Sequence, residues 1–85
     1  MEPSLEVWIE QLRDRLERGE LAGRGPIMLL DGSRFPTTEL AVKILLADLA
    51  HLAELPPDSS PAAVLAERRQ QVLNELQHLR GQMAT

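Results

Sequence analysis

The run Leu40-Ala41-Val42-Lys43-Ile44-Leu45-Leu46-Ala47-Asp48-Leu49-Ala50-His51-Leu52-Ala53-Glu54-Leu55 decides how this chain folds. Leu and Ala dominate it, and both favour helix over strand. At about 100° per residue, Ile44, Leu55, Leu52, Leu45, Leu49, Val42, Ala53 and Leu46 spread over roughly 200° of the helical wheel. Lys43 and Glu54 mark the strip left to water. A helix apolar over so wide an arc needs cover on more than one side, so it is the central helix of a bundle. Thr37 or Thr38 caps its start, Glu39 complements the dipole in the first turn, and Pro56-Pro57 stops it after Leu55.

Working outward, Leu5, Ile9, Leu12 and Leu16 form one narrow seam with Trp8 beside it, which predicts a helix from Leu5 to about Arg18. Ser4 is its N-cap, Asp14 and Arg18 are spaced for an ion pair, and Gly19, Gly23 and Gly25 end it. On the other side, Pro56-Pro57-Asp58-Ser59-Ser60 reads as a stiff connector. Ser60 then caps a third helix, with Pro61 at its first position, running to about Arg80. Leu65, Val72, Leu76, Leu79 and Met83 make its apolar seam. Glu67, Gln70, Gln71, Asn74, Gln77 and His78 form a face that reads as fully solvated. Gly81 is expected to end the helix and leave residues 81–85 as a frayed tail.

The connection 22–37 is long for a compact domain. It carries Ile27-Met28-Leu29-Leu30, then the turn signal Asp31-Gly32, then Ser33-Arg34-Phe35. Two conformations suit it: a short β-hairpin, or a single helical turn opened by Pro26 and closed by Gly32. In either, Leu29, Leu30 and Phe35 are expected to tuck against the helices. The fold class is therefore mainly α, a small three-helix bundle in one domain over residues 1–85 with an irregular link between its first two helices.

Composition narrows the function. There is no Cys among the 85 residues, so a disulfide, a thiolate metal site and a cysteine nucleophile are excluded. A net charge of −4 argues against a nucleic-acid partner, and Trp8 and Phe35 alone cannot build a base-stacking platform. The N-terminus lacks a basic and apolar leader, and no apolar run spans a bilayer, so a small acidic cytoplasmic protein with no membrane partner is expected.

No residue set reads as a catalytic centre, and neither a cofactor nor a metal is expected. Gly23-Arg24-Gly25 lacks the Lys-Ser/Thr of a phosphate loop, and Ser33 lacks the flanking glycines of a hydrolase nucleophile. Asp48 and His51, three apart on one helix face, are at most two of the ligands a metal needs. His78 reads as plain surface.

What remains is surplus apolar helix surface beside an arginine-bearing link. Helices 1 and 3 each offer only about a 100° stripe against twice that on helix 2. A monomer could bury the difference under the link; a homodimer buries it more readily. The reading is a non-enzymatic protein–protein interaction module (an adaptor, assembly factor or regulatory subunit) that self-associates and binds a protein partner. Arg24, Ile27, Leu29, Leu30, Arg34, Phe35, Leu46 and Leu49 are the expected interface. The alternative is an oligomer binding a small molecule or metal between subunits, around Asp48, His51 and Arg34. A DNA-associated regulator with an acidic dimer body is a weaker third.

Overall fold

Three helices and one hairpin make up the described residues: α1 (Leu5–Glu17), β1 (Ile27–Met28), β2 (Arg34–Phe35), α2 (Thr38–Glu54) and α3 (Ala62–Met83). They are seen in a computed structural model that describes residues 3–56 and 58–83. The architecture is the mainly helical three-helix bundle that the patterning implies, and the link between α1 and α2 is the hairpin rather than a helical turn.

The helix starts follow local chemistry. The Ser4 hydroxyl accepts the Val7 N–H at 3.3 Å, and the Thr37 hydroxyl accepts the Leu40 N–H at 3.2 Å. Each satisfies one of the amide donors that a first helical turn leaves over. Arg18 and Leu55, the expected last residues, stand as C-caps, so α1 and α2 each end one residue earlier than expected. The third helix departs more from expectation. The Pro61 carbonyl accepts the Val64 and Leu65 N–H groups at 3.0 and 3.2 Å, so Pro61 precedes the helix and α3 opens at Ala62. At the other end α3 continues through Gly81 to Met83 instead of fraying after Arg80. Gly costs a helix interior only about 1 kcal/mol. Met83 packs against the core and the Gln82 amide donates to the Met28 carbonyl at 2.9 Å, and these contacts hold the last turn. Pro57 and the tail residues 84 and 85 lie outside the described residues, as does the extreme N-terminus read for a leader.

β1 and β2 pair antiparallel, Ile27 opposite Phe35 and Met28 opposite Arg34. The connection closes through the Leu29 N–H donating to the Ser33 carbonyl at 2.8 Å and the Gly32 N–H donating to the Leu29 carbonyl at 3.1 Å. Asp31 adds an acceptor for the Ser33 N–H at 2.8 Å, the local bond that makes Asp a turn residue.

The core joins Ile9 and Leu12 of α1, Ala41, Val42, Leu45 and Leu46 of α2, and Leu76 and Leu79 of α3. Ile27 and Leu29 enter it from the hairpin, and Leu21 from the turn after α1. Leu21 is fully buried, although nothing in its glycine-rich surroundings marks it as core. α2 packs against both α1 and α3 and is the central helix.

The core does not extend along the whole of α3. Its buried residues are Glu75, Leu76 and Leu79, all in the second half. In the first half, Leu65 and Val72 are only half-buried and Val64 is exposed. No helix among the described residues is long and apolar enough to cross a membrane.

Candidate functional site

One side of the hairpin faces α3, and three polar side chains of α3 hold it there. β1 pairs with β2 through Ile27, so the polar groups of Met28 and Leu30 point to the free edge. On that edge Glu75 Oε1 accepts the Leu30 N–H at 2.7 Å. The Met28 carbonyl takes the Gln82 amide at 2.9 Å and lies 3.2 Å from His78 Nε2. Glu75, His78 and Gln82 are spaced three and four apart, which puts them on one helix face. Of the face expected to be fully solvated, His78 departs from expectation: it is a contact residue rather than plain surface.

Beside this clamp, the hairpin, α2 from Ile44 to Leu55 and α3 from Arg68 to Glu75 enclose an open groove of about 770 Å³. Leu29, Leu45, Phe35, Leu52 and Val72 supply its apolar lining. Leu30 and Ile44 stand at its edge, 61% and 39% exposed, large apolar side chains that this chain leaves in water. Polar residues line it too: Asp31, Asp48, His51, Arg68 and Glu75 among them. The bond from the Ser33 backbone holds the Asp31 carboxyl below the usual carboxylate range. That contribution to the turn is fully present above the ordinary carboxylate pKa and is lost as pH falls through the depressed value.

Glu75 is the unusual group. The residue is only 9% exposed, and Oε2 is buried with no hydrogen-bond partner among the described residues. A buried acceptor left unpaired is costly, and more so when charged. Helical spacing does not single out Glu75, which falls outside the seam of Leu65, Val72, Leu76, Leu79 and Met83, and the amide it holds lies in the hairpin 45 residues away.

The expected interface divides. Leu29, Leu30 and Phe35 line the groove. Leu30 does not tuck in as expected, because its N–H is drawn to Glu75 while its side chain stays outside. Ile27, Leu29 and Leu46 are core residues, so Ile27 and Leu46 offer no free surface, and Leu49 is half-buried against the core. Arg24 lies at a separate small hollow with Gly23, Gly25 and Pro26, and Arg34 is exposed outside the groove lining. Of the alternative triad, Asp48 and His51 both line the groove and Arg34 does not. Among the described residues no three His, Cys, Asp or Glu side chains are grouped to hold a metal ion.

The Glu75 clamp can be checked at one amide. Glu75→Ala removes an acceptor worth about 1.5–3 kcal/mol for a charged hydrogen bond. The exchange of the Leu30 N–H is then expected to speed up by about tenfold or more, while Glu75→Gln, which keeps an oxygen there, preserves most of the protection. Equal protection in both variants would show that the carboxylate does not hold the hairpin.

Compared with protein-family models, curated proteins and solved structures, the chain matches none.

Proposed function

We propose that this chain is a non-enzymatic helical interaction module, serving as an adaptor, assembly factor or regulatory subunit, and that it self-associates. The observation that carries this reading is the groove: an apolar lining with Leu30 and Ile44 left 61% and 39% exposed at its edge. Contiguous apolar surface of this kind on a small domain marks a binding surface. The mode it suits is a helix laid into a groove. Strand addition is disfavoured on β1, because the Leu30 N–H and the Met28 carbonyl of its free edge are already engaged by α3.

Light scattering on the size-exclusion eluate tests self-association. The expected mass is twice the 9.5 kDa of one chain, falling toward 9.5 kDa on dilution. A single-chain mass at every concentration overturns it.

A second reading has one supporting observation: Asp48 and His51 share a groove of about 770 Å³, a volume in the range of small-molecule sites. Thermal stabilisation of the wild-type chain by a small organic or divalent-metal panel would favour that reading over the first.

A further inference from the structure

The two outer edges of the hairpin differ in how they are closed. A two-stranded sheet leaves a row of backbone groups unpaired on each side, and such a row is a template for a strand of another chain. β2 carries its own deterrents. Arg34 is charged and exposed, and Pro36 just beyond the strand has no N–H to offer. β1 carries none. The run Ile27-Met28-Leu29-Leu30 holds no charge and no proline, and Met28 and Leu30 are 46% and 61% exposed. We propose that α3 is an intramolecular guard: Glu75, His78 and Gln82 take the place of a third strand and keep the edge of β1 closed to β1 of a second copy.

The groups that α3 occupies are the ones such pairing uses. Two copies of the run laid antiparallel about a twofold at Leu29 set the Leu30 N–H of each against the Met28 carbonyl of the other. In the folded chain that N–H is taken by Glu75 Oε1 at 2.7 Å. That carbonyl accepts the Gln82 amide at 2.9 Å and lies 3.2 Å from His78 Nε2. The guard also ends the row. A third strand would present a new open edge, whereas the backbone of α3 is bonded within its own helix.

Glu75 is the costly part of this arrangement, because Oε2 is buried with no partner among the described residues. An apolar side chain at that position would remove the cost and leave the Leu30 N–H without its acceptor. The usual rule for buried positions is broken where the edge has to be closed. The inference goes beyond the interaction reading and needs nothing to occupy the groove.

Removal of the guard tests it. The variant combines Glu75→Ala, His78→Ala and Gln82→Ala, and a second adds Met28→Lys, a charge on the edge outside the groove lining. Without the guard, the Leu30 N–H is expected to exchange about tenfold faster or more. The mass by light scattering is expected to rise with concentration to about twice that of the wild type or beyond, with infrared absorption of intermolecular strands and helicity retained by circular dichroism. Met28→Lys is expected to return the mass to that of the wild type while the Leu30 N–H stays fast. Unchanged Leu30 exchange overturns the proposal, as does fast exchange at wild-type mass. Assembly that Met28→Lys does not suppress also overturns it, since general unfolding then drives the association. Should the triple variant lose its helices, His78→Ala with Gln82→Ala replaces it; this uncovers the Met28 carbonyl alone, a smaller rise in mass is expected, and none overturns the guard. Self-association through the groove is judged separately, on the mass of the wild type.

Discussion

Gly25→Ala is expected to be among the most damaging single substitutions in this chain, costing about 2–5 kcal/mol of stability. Gly25 has φ +141°, a conformation that side-chain-bearing residues rarely adopt. A Cβ there would collide with the Pro36 carbonyl oxygen and lie 2.8 Å from Thr37 Cα. Both are backbone atoms, so no side-chain rotation relieves the contact. The close approach is where the segment entering β1 crosses the segment leaving β2, and the Arg24 carbonyl accepts the Thr38 N–H there at 2.7 Å. Forcing the two segments apart strains that bond, the hairpin register and the start of α2 together. Gly32→Ala is the control. Gly32 also has a positive φ, +90°, but nothing lies within 4 Å of its added Cβ. It is expected to cost about 1 kcal/mol, the backbone strain alone. Denaturant midpoints compare the two, and equal losses would show that the crossing does not constrain Gly25.

Leu76→Ala is expected to cost about 2–5 kcal/mol. Leu76 is 0% exposed, in the half of α3 that meets the hairpin and the rest of the core. A domain of this length holds roughly 4–13 kcal/mol in all, so the variant is expected to lose a large share of its stability. Leu65→Ala, on the half of α3 without buried residues, removes the same atoms from a half-buried site and is expected to cost about 1 kcal/mol in dilute solution. Chemical denaturation of the two variants measures both losses. A Leu65→Ala loss as large as that of Leu76→Ala would mean that the first half of α3 is already a finished core.

Much of this fold is legible residue by residue because its causes are local. Ser4 and Thr37 cap helices with their own hydroxyls, each three residues from the amide it serves. Asp31 and Gly32 close a turn through bonds spanning two to four residues. The spacing of Ile9 and Leu12, and of Val42, Leu45 and Leu46, marks core faces that the structure does bury. The misreadings share a cause as well. Gly81 reads as a stop, yet α3 passes through it because Gln82 and Met83 find partners far away in sequence. His78 reads as surface, yet its ring meets a carbonyl 50 positions earlier.

The candidate site follows the same division. Leu29, Leu30 and Phe35 attract notice as apolar residues in a connection and do line the groove. Arg24 and Arg34 attract notice by charge and do not line it. Glu75 is one acid among thirteen, and only the docked hairpin buries it.

Sequence alone determined the three helices and the excess of apolar surface on α2, since periodicity and caps act within a few positions; for the link between α1 and α2 it left a hairpin and a helical turn both open. Tertiary structure alone decided which part of that excess stays uncovered, which polar residues of α3 grip β1, and where one carboxylate oxygen is buried with no donor among the described residues. Those outcomes depend on how a two-stranded hairpin settles against a helix some 45 to 54 residues further along. No local pattern encodes that distance, because it is the packing of the whole core that sets it.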